Sequence, residues 1–597
     1  MNGQILRAGP LTMRLVDGDL RDIRLGGLEI IRRIYMVFQD QNWTARPWLI
    51  DQVDLDDGED HFTAQVQARG TFDATPLNWT ATITGTDEGT ITYRVTGTTT
   101  EAFLRNRLGL CVLHPITECT GLPVTIEHVD GSVEATRFPV SLSPHQPFLD
   151  IRAMTHQVLP ELFATVRFTG EAFETEDHRN WSDASFKTYC TPIRLPFPVT
   201  IQPGDVLEQQ VSVRLEGATT TPVPTLADPL ITVTGSAIPV PSIGLQIPRG
   251  TTTELTPTQV EALSALELNH LRVDIECASS NAADLLRTAI RQAQQLRTNL
   301  WVALYATTGD QIRALLEQLP LDIAILVDRW LLFNPTSKVT PTPLIQVVRR
   351  DLDERLGRAQ LISGTDLYFT ELNREPLGAT ALALLDGICF SVNPQVHAAD
   401  HQSVLQNSAG LGAIARDAPR LSGGLPLAIS PLTLRPRFNP NATAPELDVS
   451  NTPLPSAVDA RQRTDFAAIW ALLSLKEIAE AGTIDVVTLG ETIGWRGVMA
   501  EPAGSPDPAN FASAPDERFP IWRALHQLAG DCKILPTVST RPDVVQAVTL
   551  EQPDESMLLL MNVTTESHEV VVNLSGGPMT LAVPPFSIVD VPLPKGQ

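Results

Sequence analysis

Two glutamates lie where apolar runs give way to polar residues, which is the setting expected of acid–base chemistry. Glu371 ends the run 365–371 and Glu491 ends the run 484–491. A carboxyl group at the end of a buried strand can exchange a proton with a bound substrate. We expect the two side chains to face each other across one solvent-filled mouth. An ion-pair or capping role is the alternative for each of them.

Polar and aromatic side chains at the ends of the same and neighbouring runs are candidates for substrate binding. Alternation along 270–276 puts Arg272, Asp274 and Glu276 on one face, where charges need either partners or a water-filled cavity. Asn373 is expected to share a face with Glu371. A layer of structural salt bridges is the alternative for the charged members. The residues predicted to bind substrate are Arg272, Asp274, Asn373, Asn393, His397, Arg435, Trp495 and Arg496.

The sequence contains no clear pattern for a metal or a serine nucleophile. His397 and His401 are four residues apart, but Asp400 is the only acid close by. This differs from the His-Glu-x-x-His arrangement that binds zinc. A Gly-x-Ser-x-Gly elbow is not evident either. We therefore predict no metal site, no cofactor and no serine esterase mechanism.

The runs that carry these residues belong to a repeated pattern of strands and helices. Thr256-Pro257 is a typical helix start and Gly482 a typical helix end. Eight β–α units over 240–530 predict a TIM barrel with its active site at the carboxyl ends of the strands. An open doubly wound sheet is the alternative. The strand candidates are 243–247, 270–276, 299–305, 322–328, 365–371, 387–393, 426–432 and 484–491.

The segments on either side of the barrel have the period-two alternation of β-strands. We predict an N-terminal β-sandwich at 1–235, with a last strand near 231–233, and a small C-terminal β-sandwich at 533–597. The fold class is thus multidomain α/β plus all-β, with a central (β/α)₈ barrel. A dense polar stretch at 174–183 indicates a binding face or an interdomain contact.

Composition limits the partners and the location. The 597 residues have a formal net charge of −25, which disfavours nucleic acid and anionic membranes as partners. No apolar run is long enough for a membrane span, and the N-terminus lacks a signal-peptide pattern. We expect a cytoplasmic protein with its six scattered cysteines as buried thiols. The oligomeric state stays open.

Five segments, taken together and in order, resemble the D-apionate lactonase family of bacterial apiose catabolism. The resemblance implies a β domain, a TIM barrel and a second β domain. It also implies a small sugar lactone as substrate, with D-apionolactone hydrolysed to D-apionate. No catalytic role is transferred from the family to a residue here. The segments are RNRLGLCVLHP, EDHRNWSDASFKTYC, YFTELNR, SPLTLRPRFNP and GETIGWRGVM.

Three functions are compatible with these observations. In a lactonase, Glu371 or Glu491 activates water and the other protonates the leaving ring oxygen, while Arg435 or another cation stabilises the oxyanion. A glycoside hydrolase using the same two carboxylates is the alternative. Its carboxyl groups would be about 5–5.5 Å apart for retention and about 6.5–9.5 Å apart for inversion. A carbohydrate-binding protein without catalysis is the third possibility.

Overall fold

The structure, a computed structural model, describes most of the chain. The described residues are 3–70, 77–320, 326–351, 353–440, 454–553, 555–574 and 577–593. They fall into two compact units, each considered by itself below. The first unit is Met1–Arg179, Ala184–Ala227 and Pro440–Asp448, and the second is Asn180–Asp183, Asp228–Asn439 and Val449–Gln597.

The first unit is all-β apart from short helical turns. Its strands form one continuous hydrogen-bonded sheet in which every pairing is antiparallel. The helical turns are α1 (Ile116–Cys119) and a 3₁₀ turn at His178–Trp181. The strands are β1 Gln4–Ala8, β2 Leu11–Val16, β3 Asp19–Leu25, β4 Leu28–Asp40, β5 Trp48–Asp57, β6 Phe62–Gly70, β7 Leu77–Gly85, β8 Thr90–Thr99, β9 Phe103–Pro115, β10 Pro123–His128, β11 Val133–Arg137, β12 Phe148–Leu159, β13 Leu162–Thr169, β14 Phe173–Asp177, β15 Ser185–Tyr189, β16 Val199–Ile201 and β17 Val206–Gly217.

Alternating side chains of these strands build the core of the first unit. In β6, Ala64 and Val66 are buried while Gln65 and Gln67 are exposed, so a single face of the strand is apolar. The Tyr93 hydroxyl of β8 donates to the carbonyl oxygen that precedes β3 (2.8 Å), which joins two parts of the sheet across the core. The prediction of a large N-terminal β domain is confirmed.

Two histidines are buried in this core. His114 of β9 and His156 of β12 lie with ring centroids 5.4 Å apart, and His114 is 5.8 Å from Phe138. Burial in this apolar setting lowers the pKa of His156 to about 4 and that of His114 well below its usual value. The folded unit therefore holds both imidazoles in the neutral form.

Acid is expected to destabilise the first unit through these imidazoles. The unfolded chain binds a proton at His156 below about pH 6.5, and the folded chain does not until about pH 4. Stability is therefore complete above pH 6.5 and falls as the pH drops. Between pH 7 and 5, His156 alone should account for about 2 kcal/mol of that loss.

The check is urea unfolding of wild type and His156→Gln at pH 7 and pH 5. Glutamine is polar but does not titrate, so the variant should lose about 2 kcal/mol less than wild type over this interval. His145→Gln, at an exposed position, is the control and should behave as wild type. Equal losses in all three proteins would contradict the assignment.

Two short strands, β18 (Leu230–Val233) and β19 (Ile238–Pro239), follow the first unit. The sequence analysis placed the strand near 231–233 in the N-terminal domain, and this is corrected. β18 pairs with strands near the C-terminus, where Ile231 aligns with both Ser539 and Val572. The alternation of side chains identifies 231–233 as a strand. It does not reveal whether that strand joins the N-terminal sheet or the C-terminal sheets.

A closed barrel of eight parallel strands follows, as predicted. The first and last barrel strands pair directly, with Gly244 aligned to Thr488, so the sheet closes on itself. The short strand β28 extends the edge of the last one. The strands are β20 Ser242–Gln246, β21 His270–Glu276, β22 Asn299–Tyr305, β23 Arg329–Phe333, β24 Gln360–Tyr368, β25 Gly387–Val392, β26 Leu427–Leu432, β27 Val486–Ile493 and β28 Gly497–Met499.

Helices between the strands begin and end at the predicted signals. Thr256 forms a capping box with Gln259, and Gly482 ends its helix with a left-handed φ of 65°. A further 3₁₀ turn spans Ala460–Arg463. The helices are α2 Pro257–Ser264, α3 Ala282–Leu296, α4 Gly309–Glu317, α5 Thr342–Asp351, α6 Asp353–Leu356, α7 Phe369–Arg374, α8 Ala379–Leu382, α9 His401–Asp417, α10 Pro419–Ser422, α11 Asp465–Ala481 and α12 Pro520–Gln527.

Two barrel strands differ from their predicted positions. The fourth strand is β23, Arg329–Phe333, whereas the prediction was 322–328, of which 322–325 lie outside the described residues. Both segments are apolar, and pairing with Trp301–Tyr305 of β22 selects the later one. The fifth strand ends at Tyr368 rather than at 371, because the chain turns directly into α7.

The C-terminal strands form two small sheets around one apolar core, as predicted for a small sandwich. That core includes Ile231 from β18 and Val545, Leu560 and Val572 from the C-terminal strands. Among the described residues, no helix combines the length and the hydropathy needed to cross a bilayer. The strands are β29 Lys533–Leu535, β30 Thr537–Ser539, β31 Val545–Glu551, β32 Ser556–Asn562, β33 His568–Leu574, β34 Gly577–Val583 and β35 Ile588–Leu593.

Candidate active site

A buried network of charges occupies the carboxyl ends of the barrel strands. Arg272 donates to Asp274 (2.9 Å) and to Asp366 on β24 (2.8 Å). Arg437, from the loop after β26, donates to Asp366 (2.7 Å) and to Asp274 (3.4 Å). The Tyr305 hydroxyl lies 2.6 Å from Asp366. Two carboxylates and two guanidinium groups thus form a compact, nearly neutral cluster.

The arginines decide the charge state of Asp274. Burial alone would raise its pKa, but Arg272, Arg437 and Arg249 together hold the pKa well below its usual value. The carboxylate also accepts from Gln246 (3.1 Å). Both predicted residues of β21 therefore lie on one face, as expected from strand alternation. The many donors around the aspartate leave little room for a cation beside it.

Arg272 lies beneath the mouth rather than in it. The side chain is fully buried and reaches across the barrel to Ser430 of β26, where it donates to the carbonyl and to the hydroxyl oxygen. A guanidinium surrounded in this way orients the two aspartates. Burial favours the alternative, a structural ion pair that forms the floor of the charged network, and direct substrate binding by Arg272 stays a prediction.

Glu491 is a buried carboxyl group at the end of the last barrel strand. It is 5% exposed and forms an ion pair with Arg496. Burial raises its pKa above the usual value, against the opposing effect of Arg496, and the charge of Asp274 raises it further. Trp495, in the same loop, donates its indole N–H to Ser505 (3.0 Å). Burial therefore favours the protonated form of Glu491, and Arg496 favours the charged form.

Glu371 is also buried, but it lies on a helix rather than on a strand. It belongs to α7 and forms an ion pair with Lys338 (3.0 Å). Asn373, two residues later, was expected to share a face with it, and this is wrong, because residues two apart on a helix point in different directions. The Asn373 amide donates to Asn180 (2.8 Å) and accepts from Arg420 (2.6 Å).

Arg437 and Tyr368 connect the surroundings of the two glutamates. The charge of Arg437 acts on both Glu491 and Tyr368, and that of Glu371 acts on Tyr368. Burial raises the pKa of Tyr368 to about 12, and its side chain is hydrogen-bonded to that of Asn393. Tyr368 thus feels the charge of Glu371, and Glu491 feels the charge of Arg437, which also acts on Tyr368. Their facing each other across the mouth stays a prediction.

Arg435 lies in a separate basic recess at the rim. Its guanidinium donates to the carbonyl oxygens of Ser456 (3.2 Å) and Val458 (3.3 Å) and lies 3.9 Å from Asp459. Arg461 pairs with the same aspartate at 2.7 Å. These side chains line a cavity of about 390 Å³. Arg435 is therefore held by this recess, and Arg437 is the arginine of the central network.

His397 and Asn393 contact a short segment that is distant in sequence. His397 Nδ1 lies 2.7 Å from Asp183, and the Asn393 carbonyl oxygen accepts from the Ser182 hydroxyl (3.0 Å). The segment Asn180–Asp183 belongs to the same compact unit as the barrel. Part of the polar stretch predicted as a binding face therefore lies at the barrel rim.

Several residues of the site were missed by the sequence analysis. Asp366 and Tyr305 are at strand ends, and placing the end of β24 at Tyr368 would have identified Asp366 as an inward-facing residue. Lys338 comes from a loop, where neither periodicity nor spacing gives a signal, and Asp183 was included only as part of the polar stretch 174–183. Their positions depend on contacts between segments that are far apart in the sequence.

Known proteins match this chain over most of its length. Residues 1–218 match the N-terminal domain of D-apionate lactonase, and residues 243–532 match the TIM barrel domain of D-apionate lactonase. A curated relative from Brucella anthropi, named D-apionate lactonase, is 30% identical over 95% of this chain and 93% of its own length.

Solved structures with a similar arrangement are much more distant. An endoxylanase of glycoside hydrolase family 30 from Clostridium papyrosolvens is 10% identical over 62% of this chain and 97% of its own, with a TM-score of 0.38. A family 51 α-L-arabinofuranosidase from Bifidobacterium longum is 12% identical over 63% and 98%, with a TM-score of 0.40. Similarity of this size indicates nothing about activity.

The two domain matches and the full-length relative agree with the five sequence segments that first indicated the family. They cover both the all-β N-terminal part and the barrel that carries the charged network. The prediction of a hydrolase of the lactonase class is thereby confirmed. This chain belongs to the D-apionate lactonase family.

Proposed function

We propose that this protein hydrolyses D-apionolactone to D-apionate at the mouth of the barrel, as a step of sugar catabolism. The observation that carries the proposal is the pair of buried glutamates at the ends of two barrel strands, Glu371 on α7 directly after β24 and Glu491 on β27. Ester hydrolysis needs a base for water, an acid for the leaving oxygen and a cation for the oxyanion. The mouth offers all three.

The roles of the two glutamates follow from their surroundings. Glu371 is paired with a lysine, so it is suited to accept the proton of the attacking water. Glu491 has a pKa raised by burial, so it is suited to deliver a proton to the leaving ring oxygen. Arg496 then positions Glu491 through their ion pair.

The reaction balances with these groups alone. The oxygen of water forms a bond to the lactone carbonyl carbon while Glu371 takes its proton. The tetrahedral oxyanion collapses, the bond from that carbon to the ring oxygen breaks, and Glu491 protonates the ring oxygen. After the product acid has left, Glu371 releases its proton to solvent. Glu491 takes up one proton from solvent, so both groups return to their starting states. Asn393, His397 and Trp495 are proposed to hold the sugar hydroxyls and ring.

Arg437 is the cation we assign to the oxyanion, in preference to Arg435. Its side chain is 6% exposed, and its Nε–H has no acceptor among the residues that the structure describes. The guanidinium of Arg435 is engaged by two carbonyl oxygens outside this network. A buried donor with a remaining N–H is the better stabiliser of a developing charge.

A matched pair of lysine substitutions separates the two arginines. Arg437→Lys is expected to lower kcat by about 10²-fold. A lysine ammonium group cannot form ion pairs with both Asp274 and Asp366 and also donate to the oxyanion. Arg435→Lys should change kcat by less than about fivefold, since it removes only contacts to the recess. Steady-state kinetics on D-apionolactone provides the check. A larger loss of kcat in Arg435→Lys than in Arg437→Lys would instead assign oxyanion stabilisation to Arg435.

The proposed activity is tested with a panel of substrates. Purified protein is incubated with D-apionolactone, other aldonolactones and aryl glycosides, with and without a chelator, and acid release is followed in a pH-stat. We expect release of one acid equivalent per D-apionolactone and no cleavage of the glycosides. Cleavage of glycosides with inert lactones would replace the proposal by the glycosidase alternative.

A further inference from the structure

The basic recess at the barrel rim contains two arginines that are held by the same neighbours. Arg435 follows β26, and Arg461 lies in the 3₁₀ turn Ala460–Arg463. The buried Gln395 side chain accepts from Arg435 (3.4 Å) and from Arg461 (3.2 Å). Its amide nitrogen donates to Asp459 (2.8 Å). One glutamine and one aspartate thus fix both guanidinium groups at the edge of one cavity of about 390 Å³.

The recess has a surplus of positive charge. Arg461 pairs with Asp459 through two contacts of 2.9 and 2.7 Å, whereas Nε of Arg435 lies 3.9 Å from that carboxylate. The closer contacts of Arg435 are to neutral oxygens. Burial lowers the pKa of His401, which also lines the cavity, so its imidazole is neutral at pH 7. Two arginines therefore share one aspartate, in a chain whose formal net charge is −25.

Each arginine also keeps hydrogen-bond donors that the folded chain does not use. Among the residues that the structure describes, Nη2 of Arg435 and Nη1 of Arg461 have no acceptor. Both side chains line the cavity, and they are 35% and 17% exposed, so the recess is open to small solutes. A carboxylate accepts several N–H groups at once, and such charge-assisted bonds are strong. The rest of the lining has apolar side chains: Ala399, Leu454, Val458 and Ala460.

We infer that this recess binds a small carboxylate, and that its ligand is the sugar acid released by lactone hydrolysis. The identity of the acid rests on the proposed function. The lactone is neutral and has no group that calls for two guanidinium donors. Ring opening creates a carboxylate, whose charge the surplus positive charge of the recess offsets. The recess therefore discriminates the product from the substrate.

The place of the recess in the barrel favours the product over an unrelated anion. Arg435 is two residues from Arg437, whose side chain belongs to the charged network at the strand ends. Gln395 follows β25, at the same end of the barrel. An acid formed at the mouth is thus released at the end of the barrel where the two arginines lie.

Ligand-observed NMR titrations test the recess without turnover. D-apionate is added to the full-length protein and, in a parallel series, so is the amide of D-apionate, which has the same hydroxyl groups and no charge. We expect a Kd of about 1 mM for D-apionate and binding at least about tenfold weaker for the amide. Equal affinity for the acid and the amide would show that the protein does not recognise the carboxylate, and would overturn the assignment.

A matched pair of substitutions locates the bound acid. Arg435→Gln should raise the Kd for D-apionate about tenfold, the size of a lost charge-assisted hydrogen bond. Arg416→Gln is the control, since Arg416 lies on α9 with its side chain 55% exposed and is not part of the cavity lining. It lowers the net charge equally, and its Kd should stay within about twofold of wild type. Equal effects of the two substitutions, or no effect of Arg435→Gln, would overturn the assignment.

Asp459→Asn is expected to strengthen binding, which damage to the recess would not do. Burial alone would raise the pKa of Asp459, but Arg461 and Gln395 hold it at about 2, so its charge opposes a bound anion at neutral pH. Asparagine keeps an acceptor for Arg461 and removes that charge. The Kd for D-apionate should fall about threefold. A higher Kd would show that the acid is not bound through the positive charge of the recess.

The site and the proposed function fail in different ways. A wild type that releases no acid from D-apionolactone, yet binds D-apionate through Arg435, would contradict the proposed function and leave the carboxylate site in place. A wild type that hydrolyses the lactone, while Arg435→Gln binds D-apionate as tightly as wild type, would overturn the carboxylate site alone.

Discussion

Replacing Glu491 with glutamine is expected to lower kcat for lactone hydrolysis by about 10²–10⁴, with KM changed less than about threefold. Glutamine has the same shape but cannot donate a carboxylic acid proton to the ring oxygen. Burial raises the pKa of Glu491 and so disfavours its charged form, and a neutral amide of the same shape should lose little beyond the ion pair with Arg496. Catalysis should therefore fall much more than stability.

The matched control is Glu261→Gln on the outer side of the barrel. Glu261 lies on α2 with its side chain 81% exposed, so the same chemical change removes no buried group. Its kcat should equal that of wild type. Steady-state assays with D-apionolactone measure kcat for both variants. A Glu491→Gln variant that kept more than about half of the wild-type kcat would exclude the acid role.

Replacing Arg272 with methionine is expected to have the largest effect on stability, a loss of about 3–5 kcal/mol. The substitution removes the fully buried guanidinium and leaves both aspartates buried, with Arg437 shared between them and the half-exposed Arg249 beside Asp274 only. The loss of half of the buried positive charge beside Asp366 is the reason for the size of the effect. Urea unfolding at neutral pH measures it.

An exposed arginine provides the comparison. Arg313 on α4 has its side chain 46% exposed and lies 3.9 Å from Asp310, so Arg313→Met should cost less than about 1 kcal/mol. Substituting Asp274 alone by asparagine in the Arg272→Met background should recover part of the loss, because Arg437 and Asp366 then remain as a buried pair. A loss below about 1 kcal/mol for Arg272→Met would contradict the floor role.

The barrel could be predicted because its strands are buried on both faces and alternate with amphipathic helices. β21 and β22 have the predicted bounds, and the capping signals at Thr256 and Gly482 lie at helix ends. These strands and helix ends could be predicted because each depends only on the residues within the element itself. The assignment of β18 to the C-terminal sheets could not be obtained in this way.

The site was less predictable than the barrel. Glu491 was placed correctly at the end of the last barrel strand, while Glu371 was assigned to a strand and lies on α7. An apolar run interrupted by a tight strand-to-helix turn has the same composition as a longer strand. Lys338 and Asp183 reach the rim from distant segments, and only the folded chain brings them there.

The most direct measurement is acid release from D-apionolactone by wild type, Glu371→Gln and Glu491→Gln in the same pH-stat. We predict one equivalent of acid per lactone with wild type, and a rate at least about 10² lower with each variant at unchanged melting temperature. Wild-type rates in both variants would contradict a mechanism in which the two glutamates act on one bound lactone.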